Sequence, residues 1–387
     1  MTYTFSDRLG NLAPSAIREI LKATSQPGII PFAAGNPAPE AFPVRAVREI
    51  SARLLAERPV DCLQYGITEG YTPLRLRVRG DLKNRLQIGA GFDDLIVTSG
   101  AQQVIDLAAK ALCNEGDVVI AESPSFIGAL NTFRSYGARL RGVPLQADGL
   151  DVDALEEILR TEKNVRFLYT IPNYQNPSGV TMSPEKRRRV YELARQYGVL
   201  ILEDNPYGEL RYEGEALPCI KSFDTDGIVI YAGSFSKILS PGLRVGYVLA
   251  PAPLIAKMTV GKQASDVHTP VFNQMIVDEW MRNYDVAAHV KEICGIYTAK
   301  RDLMCGGLAG TALRFRRPAG GLFLWCELPE GIGMLDYARR AVERKVAVVP
   351  GVAFAVEQSD SINAVRLNFS TPTDEQLKQG VEILRGM

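Results

Sequence analysis

Four short segments carry residues whose types and spacing suit chemistry. The strongest is Ser234-Phe235-Ser236-Lys237, with Arg244 seven residues past the lysine. A lysine flanked by two hydroxyls and followed by a guanidinium is equipped to form a Schiff base beside a phosphate. A second segment, Glu203-Asp204-Asn205-Pro206-Tyr207-Gly208, sets a carboxylate three residues before a phenol. A third, IPNYQNPSG over 171–179, offers the Asn176 amide. The fourth, Ser99-Gly100-Ala101-Gln102, is a small-residue turn whose free N–H groups hold a phosphate if a helix follows; the alternative is an ordinary helix cap by Ser99.

The elements around these segments follow from apolar patterning. Short apolar runs at Asp94–Ser99, Val118–Glu122, Arg166–Ile171, Val199–Glu203, Ile228–Ala232 and Arg244–Ala250 alternate with amphipathic stretches such as Gln102–Leu112 and Pro184–Tyr197. That alternation predicts buried strands of a largely parallel sheet in an α/β domain. Each reactive segment then lies just after a strand, at the sheet edge where α/β ligands bind. Before this region come a short helix candidate, Pro14–Thr24, and a Gly/Pro-rich linking stretch, Gly28–Pro43. After it, a polar-apolar stretch to about Leu308 reads as a helix crossing between domains. Strand candidates Gly321–Glu327, Val346–Val349 and Ala364–Asn368, then a helix after Thr373, read as a smaller α+β unit. The predicted division is a large domain over 44–270, with 1–43 and 271–387 forming a small domain and its N-terminal segment.

Composition narrows the chemistry. At 387 residues the chain is long for one domain, and 44 Lys+Arg balance 44 Asp+Glu, so no net field steers it onto nucleic acid or an anionic membrane. Two histidines, His268 and His289, argue against a His-rich metal site or a Ser-His triad. Six scattered cysteines without a CxxC read as free buried thiols of a reducing compartment. The start of the chain lacks a basic segment followed by an apolar one, and no run approaches 18 apolar residues, so a soluble cytoplasmic protein is expected. Neither GxGxxG nor GxxxxGK[ST] occurs, which disfavours NAD and ATP.

The surviving chemistry is that of pyridoxal 5′-phosphate (PLP). A carboxylate at its pyridine nitrogen keeps the ring protonated and electron-withdrawing, donors at the phenolic oxygen stabilise its anion, and a lysine holds the aldehyde as an imine.

The motifs SFSKILSPGLRVGY, EDNPYGEL, PNYQNPSG, TSGAQQ and ESPSFIGAL, in this family's order, resemble those of class I/II (fold type I) PLP-dependent aminotransferases. IREILKATSQPGIIPFAAGNPAPEAFP and QYGITEGYTPLR resemble the branch of 2-aminoadipate and kynurenine/aminoadipate aminotransferases. The resemblance covers nearly the whole chain. It implies a large domain with a mostly parallel seven-stranded sheet, a small α+β domain, and a homodimer with shared active sites.

It also implies roles. Lys237 holds the cofactor and shuttles the substrate proton; Asp204 pairs with the pyridine nitrogen; Tyr207 and Asn176 bond the phenolic oxygen. The backbone of Gly100 and Ala101, with Gln102, Ser234, Ser236 and Arg244, holds the phosphate. Phe126, where relatives often carry Tyr, stacks on the ring, and Tyr65 reaches the phosphate of the neighbouring subunit. Arg366, assisted by Asn176, grips the substrate carboxylate, since a guanidinium fork matches a carboxylate. Gly35 lets the backbone approach the substrate, next to Asn36 where the branch usually has an apolar residue. Arg18, off the apolar stripe of its helix, matches an arginine that contacts a distal carboxylate. The implied reaction is ping-pong transfer of an amino group from an L-amino acid to a 2-oxo acid, with 2-oxoglutarate as the expected acceptor. A β-lyase, decarboxylase or amino-acid oxidase would use the same cofactor residues. A non-catalytic ligand-binding regulator is the reading of another class.

Overall fold

The computed structural model describes residues 3–10, 28–357 and 359–387, so the Pro14–Thr24 helix candidate and Arg18 lie outside the described residues. The large sheet takes strands β1 (Asp93–Thr98), β2 (Val118–Ser123), β3 (Arg139–Gln146), β4 (Gly149–Leu150), β5 (Val165–Thr170), β6 (Leu200–Asp204), β7 (Val229–Ser234) and β8 (Gly246–Pro251). Their order is β1-β8-β7-β6-β5-β2-β3-β4. Neighbours from β7 through β3 run parallel, while β8 is antiparallel to both β7 and β1. The seven expected strands are joined by the two-residue β4, which folds back on β3.

Side chains alternate between the two faces of this sheet, as a two-residue period requires. Leu95, Val97 and Leu249 face one core with Ile50, Leu54, Leu74, Val78 and Trp280, whereas Ile96, Val248 and Leu202 face another. Because helices cover both faces, the central strands are apolar throughout and were legible as runs. β3 escaped that criterion. It reads RLRGVPLQ, and only Val143 of its eight residues is buried. The β8 expectation was two residues too long at its start, because Arg244 adopts a left-handed backbone (φ 55) ahead of the ladder.

A second sheet, β11-β12-β10-β9, is wholly antiparallel: β9 is Arg314–Phe315, β10 Phe323–Glu327, β11 Val349–Pro350 and β12 Ala364–Asn368. The Val346–Val349 expectation shifts because Val346 pairs instead with Ile30. The Gly/Pro-rich stretch is thereby sewn to this sheet, with Asn368 N–H also donating to the Phe32 carbonyl. The stretch read as one helix to Leu308 is two, Val271–Asn283 and Val286–Leu308; Asp285 between them caps the second by accepting from Ala288 N–H at 2.9 Å. The last helix, Asp374–Arg385, begins at a Thr373/Gln376 capping box. Among the described residues no helix is long and apolar enough to cross a membrane, and all six cysteines are unpaired.

One buried ion cluster ties β1 into place. Lys221 Nζ donates to Asp93 Oδ1 at 2.7 Å, Asp224 Oδ2 at 2.8 Å and the Val229 carbonyl at 2.9 Å, with all three side chains sealed from water. Lys221→Ala leaves two buried carboxylates without their cation and should lower unfolding free energy by about 3–5 kcal/mol. Urea unfolding reads this; a loss no larger than that of an exposed pair, about 1 kcal/mol or less, would contradict the pinning role.

Candidate active site

β2, β5, β6 and β7 run the same way, and two antiparallel steps through β8 bring β1 into the same direction. The carboxyl ends of five strands therefore open on one edge, and each carries a predicted segment: Ser99–Gln102 after β1, Phe126 after β2, Asn176 after β5, Asp204–Tyr207 at β6 and Ser234–Lys237 at β7. Arg244 joins from the start of β8, whose Gly246 pairs with both Thr98 and Ser234.

Asp204 closes β6 and is 3% exposed. Its Oδ2 accepts from the Tyr169 hydroxyl at 2.8 Å, while Oδ1 is buried with no partner. Burial pushes the carboxyl up to about 7, against the lowering by Tyr169. A second buried carboxylate, Glu122 on β2, accepts from Thr170 Oγ1 at 2.5 Å and Ile171 N–H at 3.1 Å, and is also raised to about 7, mainly by burial.

The Lys237 ammonium donates to the Gly35 carbonyl at 3.0 Å, so Gly35 meets the lysine through its backbone. Burial, then the positive fields of Arg366 and Arg244, pulls the amine down to about 8. Arg366 stands on β12, mostly buried, and among the described residues no carboxylate lies against it. Its Nη1 donates to Asn176 Oδ1 at 2.9 Å and its Nη2 to the Ala33 carbonyl at 3.0 Å, but Nε is buried without a partner. The guanidinium lies 4.3 Å from the Phe323 ring centre and 5.0 Å from that of Phe354, and burial lowers it to about 10. Tyr207 packs edge-on to Phe323; burial raises its phenol, against lowering by Arg366 and Asn176.

The Ser99–Gln102 turn is a cradle. Gly100 has φ +81, and a Cβ there would fall 2.5 Å from Arg244 Nη2. A Cβ at Gly246 would fall 2.8 Å from the Gly100 carbonyl carbon and 2.9 Å from Ala101 N. Two glycines thus let Arg244 and the β8 backbone close on the start of the helix Ala101–Leu112, whose first N–H groups have no acceptor within it. Ser99 does not cap that helix: its hydroxyl donates to Asp266 Oδ2 at 2.7 Å. Gln102 turns its side-chain amide to Thr132 Oγ1 at 2.9 Å, so only its backbone N–H remains for the cradle. Ser234 Oγ accepts from Ser236 N–H at 3.1 Å, and Phe126 lies beside Gln102 across Gly128.

Tyr65 is not brought to this cluster; it is 81% exposed, with its ring edge-on to His268. Sequence reading missed Tyr169, Glu122, Phe323 and Phe354. The one available signal was a phenol within the apolar run RFLYTI, two residues from its end.

These residues fit PLP. A buried carboxylate oxygen, a glycine-lined helix start and a buried arginine without a counter-ion among the described residues suit a ring N–H, a phosphate and a carboxylate. Fold and site together define a fold type I PLP enzyme. The profile of the family described as "Aminotransferase class I and II" matches residues 27–384. The chain is 40% identical to aromatic-amino-acid aminotransferase 1 of Thermococcus litoralis, covering 98% of this chain and 93% of the relative. It is also 40% identical to the 2-aminoadipate transaminase of Thermus thermophilus, over 98% and 95%. The Pyrococcus horikoshii kynurenine aminotransferase, solved with PMP, superposes with TM-score 0.95 at 37% identity over 99% of this chain and 96% of that one. The chain belongs to the class I and II aminotransferase family. It is a PLP-dependent transaminase acting on amino acids.

The lowered lysine makes a direct prediction for the cofactor-free protein. Only the neutral amine is nucleophilic, so acetylation of Lys237, followed by mass spectrometry, should rise with pH to half its limit near pH 8. A titration instead near the value of about 10.4 for a free lysine would contradict the desolvated setting.

Proposed function

We propose that this transaminase moves the amino group of an L-amino acid to a 2-oxo acid, with 2-oxoglutarate as an acceptor, both substrates using one carboxylate grip in turn. The observation that carries this reading is Arg366, a buried guanidinium with an unpartnered Nε, held by Asn176 and the Ala33 carbonyl within the field of Lys237. PLP, when bound, supplies an aldehyde for the amino group and a protonated ring that draws electrons from the α-carbon. Asp204 Oδ1 would accept from the ring N–H, since Tyr169 occupies the other carboxylate oxygen and leaves this one free. Tyr207 and Asn176 donate to the phenolic oxygen. Ala101 and Gln102 would offer backbone N–H groups to the phosphate, beside Gly100, whose own N–H is held by the Thr98 carbonyl at 2.8 Å, with Ser234, Ser236 and Arg244 around them and Phe126 covering the ring.

Arg366 binds the α-carboxylate of donor and acceptor alike, and this fixes the α-carbon against Lys237. The lysine Nζ would take the α-proton and deliver it to the cofactor's aldehyde carbon, C4′; a basicity near 8 suits exchange in both directions close to neutrality. Gly35 holds that amine through its carbonyl in the free site, next to Asn36, and Arg18 stands as a candidate contact for a distal carboxylate. The exposed apolar residues Val60, Leu63, Tyr65 and Ile67 support a homodimer in which Tyr65 reaches the partner's phosphate. Light scattering should give twice the chain mass, and a monomer holding PLP normally would remove this role for Tyr65.

The reaction is tested with purified enzyme, 2-oxoglutarate and a panel of L-amino acids including aminoadipate and kynurenine, scored for glutamate. Without an acceptor, product formation should stop at one equivalent per site; continued turnover would favour a lyase or decarboxylase. Lys237→Ala should lower the rate at least about 1,000-fold. Arg366→Lys should raise KM for both substrates about ten- to a hundredfold, the worth of a charge-assisted hydrogen bond.

A further inference from the structure

Ser99 is bonded through all three of its polar groups. Its carbonyl accepts from Arg244 Nη2 at 2.8 Å, its N–H donates to Gln103 Oε1 at 2.8 Å, and its hydroxyl donates to Asp266 Oδ2 at 2.7 Å. The last two bonds end on one hub. Asp266 Oδ2 also accepts from Gln103 Nε2 at 2.8 Å, and Lys262 Nζ reaches Asp266 Oδ1 at 3.0 Å, Gln103 Oε1 at 2.7 Å and Thr269 Oγ1 at 3.0 Å. Lys262, Thr269 and Gln274 are fully buried and form a dry base to this polar network, while Asp266 reaches the surface, where its bonds from Ser99 and Gln103 meet solvent.

The hub is also held in an uncommon backbone shape. Val267, next to Asp266, sits at φ 65, a left-handed conformation that β-branched residues rarely adopt and that persists only where the surroundings over-determine it. The neighbouring residues supply that determination. His268 Nε2 accepts from Gly66 N–H at 3.3 Å, which places the ring proton on Nδ1, 2.9 Å from the Thr269 carbonyl. Gln274 Nε2 donates to the same carbonyl at 2.7 Å, and its Oε1 accepts from Tyr71 N–H at 2.7 Å. The hub therefore ties the Ser99–Ala101 turn to the segment 64–71 that carries Tyr65.

We propose that Asp266 is a positioning residue for the cofactor phosphate: acting through Ser99 and Gln103, it holds the Ser99–Ala101 turn in the shape that aims the Ala101 and Gln102 N–H groups at the anion. The Ser99 hydroxyl is consequently a strut and not a phosphate ligand. This inference rests on the assignment of that turn to the phosphate.

The test compares wild type, Ser99→Ala and Asp266→Asn as apoenzymes, titrated separately with PLP and with pyridoxal, which lacks the phosphate. Both variants should raise the Kd for PLP about tenfold while changing that for pyridoxal no more than about twofold, a difference on the order of one charge-assisted hydrogen bond. Inorganic phosphate should compete with PLP less well in the variants. Equal loss for both ligands would mark a general structural role, and no loss for PLP would remove the role altogether; either overturns the inference. Should Asp266→Asn fail to fold with Lys262 unpaired, Ser99→Ala decides, since it removes one strut and strands no charge. A wild type that binds pyridoxal as tightly as PLP would instead sink the assignment of the turn to the phosphate.

Discussion

The site depends on charge withheld from water and left partly unsatisfied. Taking an ion into the interior costs several kcal/mol unless partners replace its hydration. Here the replacement stops one atom short at two places, Asp204 Oδ1 and Arg366 Nε. Each group is held by neighbours on its other atoms, Tyr169 in one case and Asn176 with the Ala33 carbonyl in the other. The remaining valence is what a pyridine N–H or a carboxylate would complete. Lys237 shares the condition, because the same dryness and the two arginines depress its basicity and make the amine reactive.

Such an arrangement needs a rigid frame, which the large sheet provides. Five strands of common direction deliver the predicted segments to one edge, and the reversed strand β8 returns Arg244 to that edge. The second sheet reaches the site through Arg366 on β12, whose neighbour β10 carries Phe323. The stretch through Ala33 and Gly35 runs between them, so one irregular segment touches both the carboxylate grip and the reactive lysine. Its irregularity is functional, since its carbonyls are free of a ladder and can accept from side chains.

Legibility followed the physics of burial. Strands buried on both faces, such as β5 and β7, announced themselves as apolar runs, and Lys237, Asp204 and Arg244 could be placed relative to them. β3, next to the two-residue edge strand β4, did not, because only one of its residues is buried and a strand so open carries no such run. The break at Asp285 was hidden because the apolar-polar pattern continues across a single capping residue. Ser99 illustrates the limit within the site: a serine before a helix reads as an ordinary cap, yet its hydroxyl goes to Asp266, 167 residues away. Glu122, Phe323 and Phe354 carried no local mark at all.

By itself the sequence determined the chemistry available, because the lysine, carboxylate, phenol and amide stand in short motifs whose local turns follow strands whatever the rest of the chain does. Tertiary structure alone decided which atoms remain open. Whether Asp204 keeps a free oxygen, Arg366 a free nitrogen and Lys237 a neutral amine depends on burial and on partners far apart in the chain, and desolvation is a property of the packed molecule that no local pattern encodes.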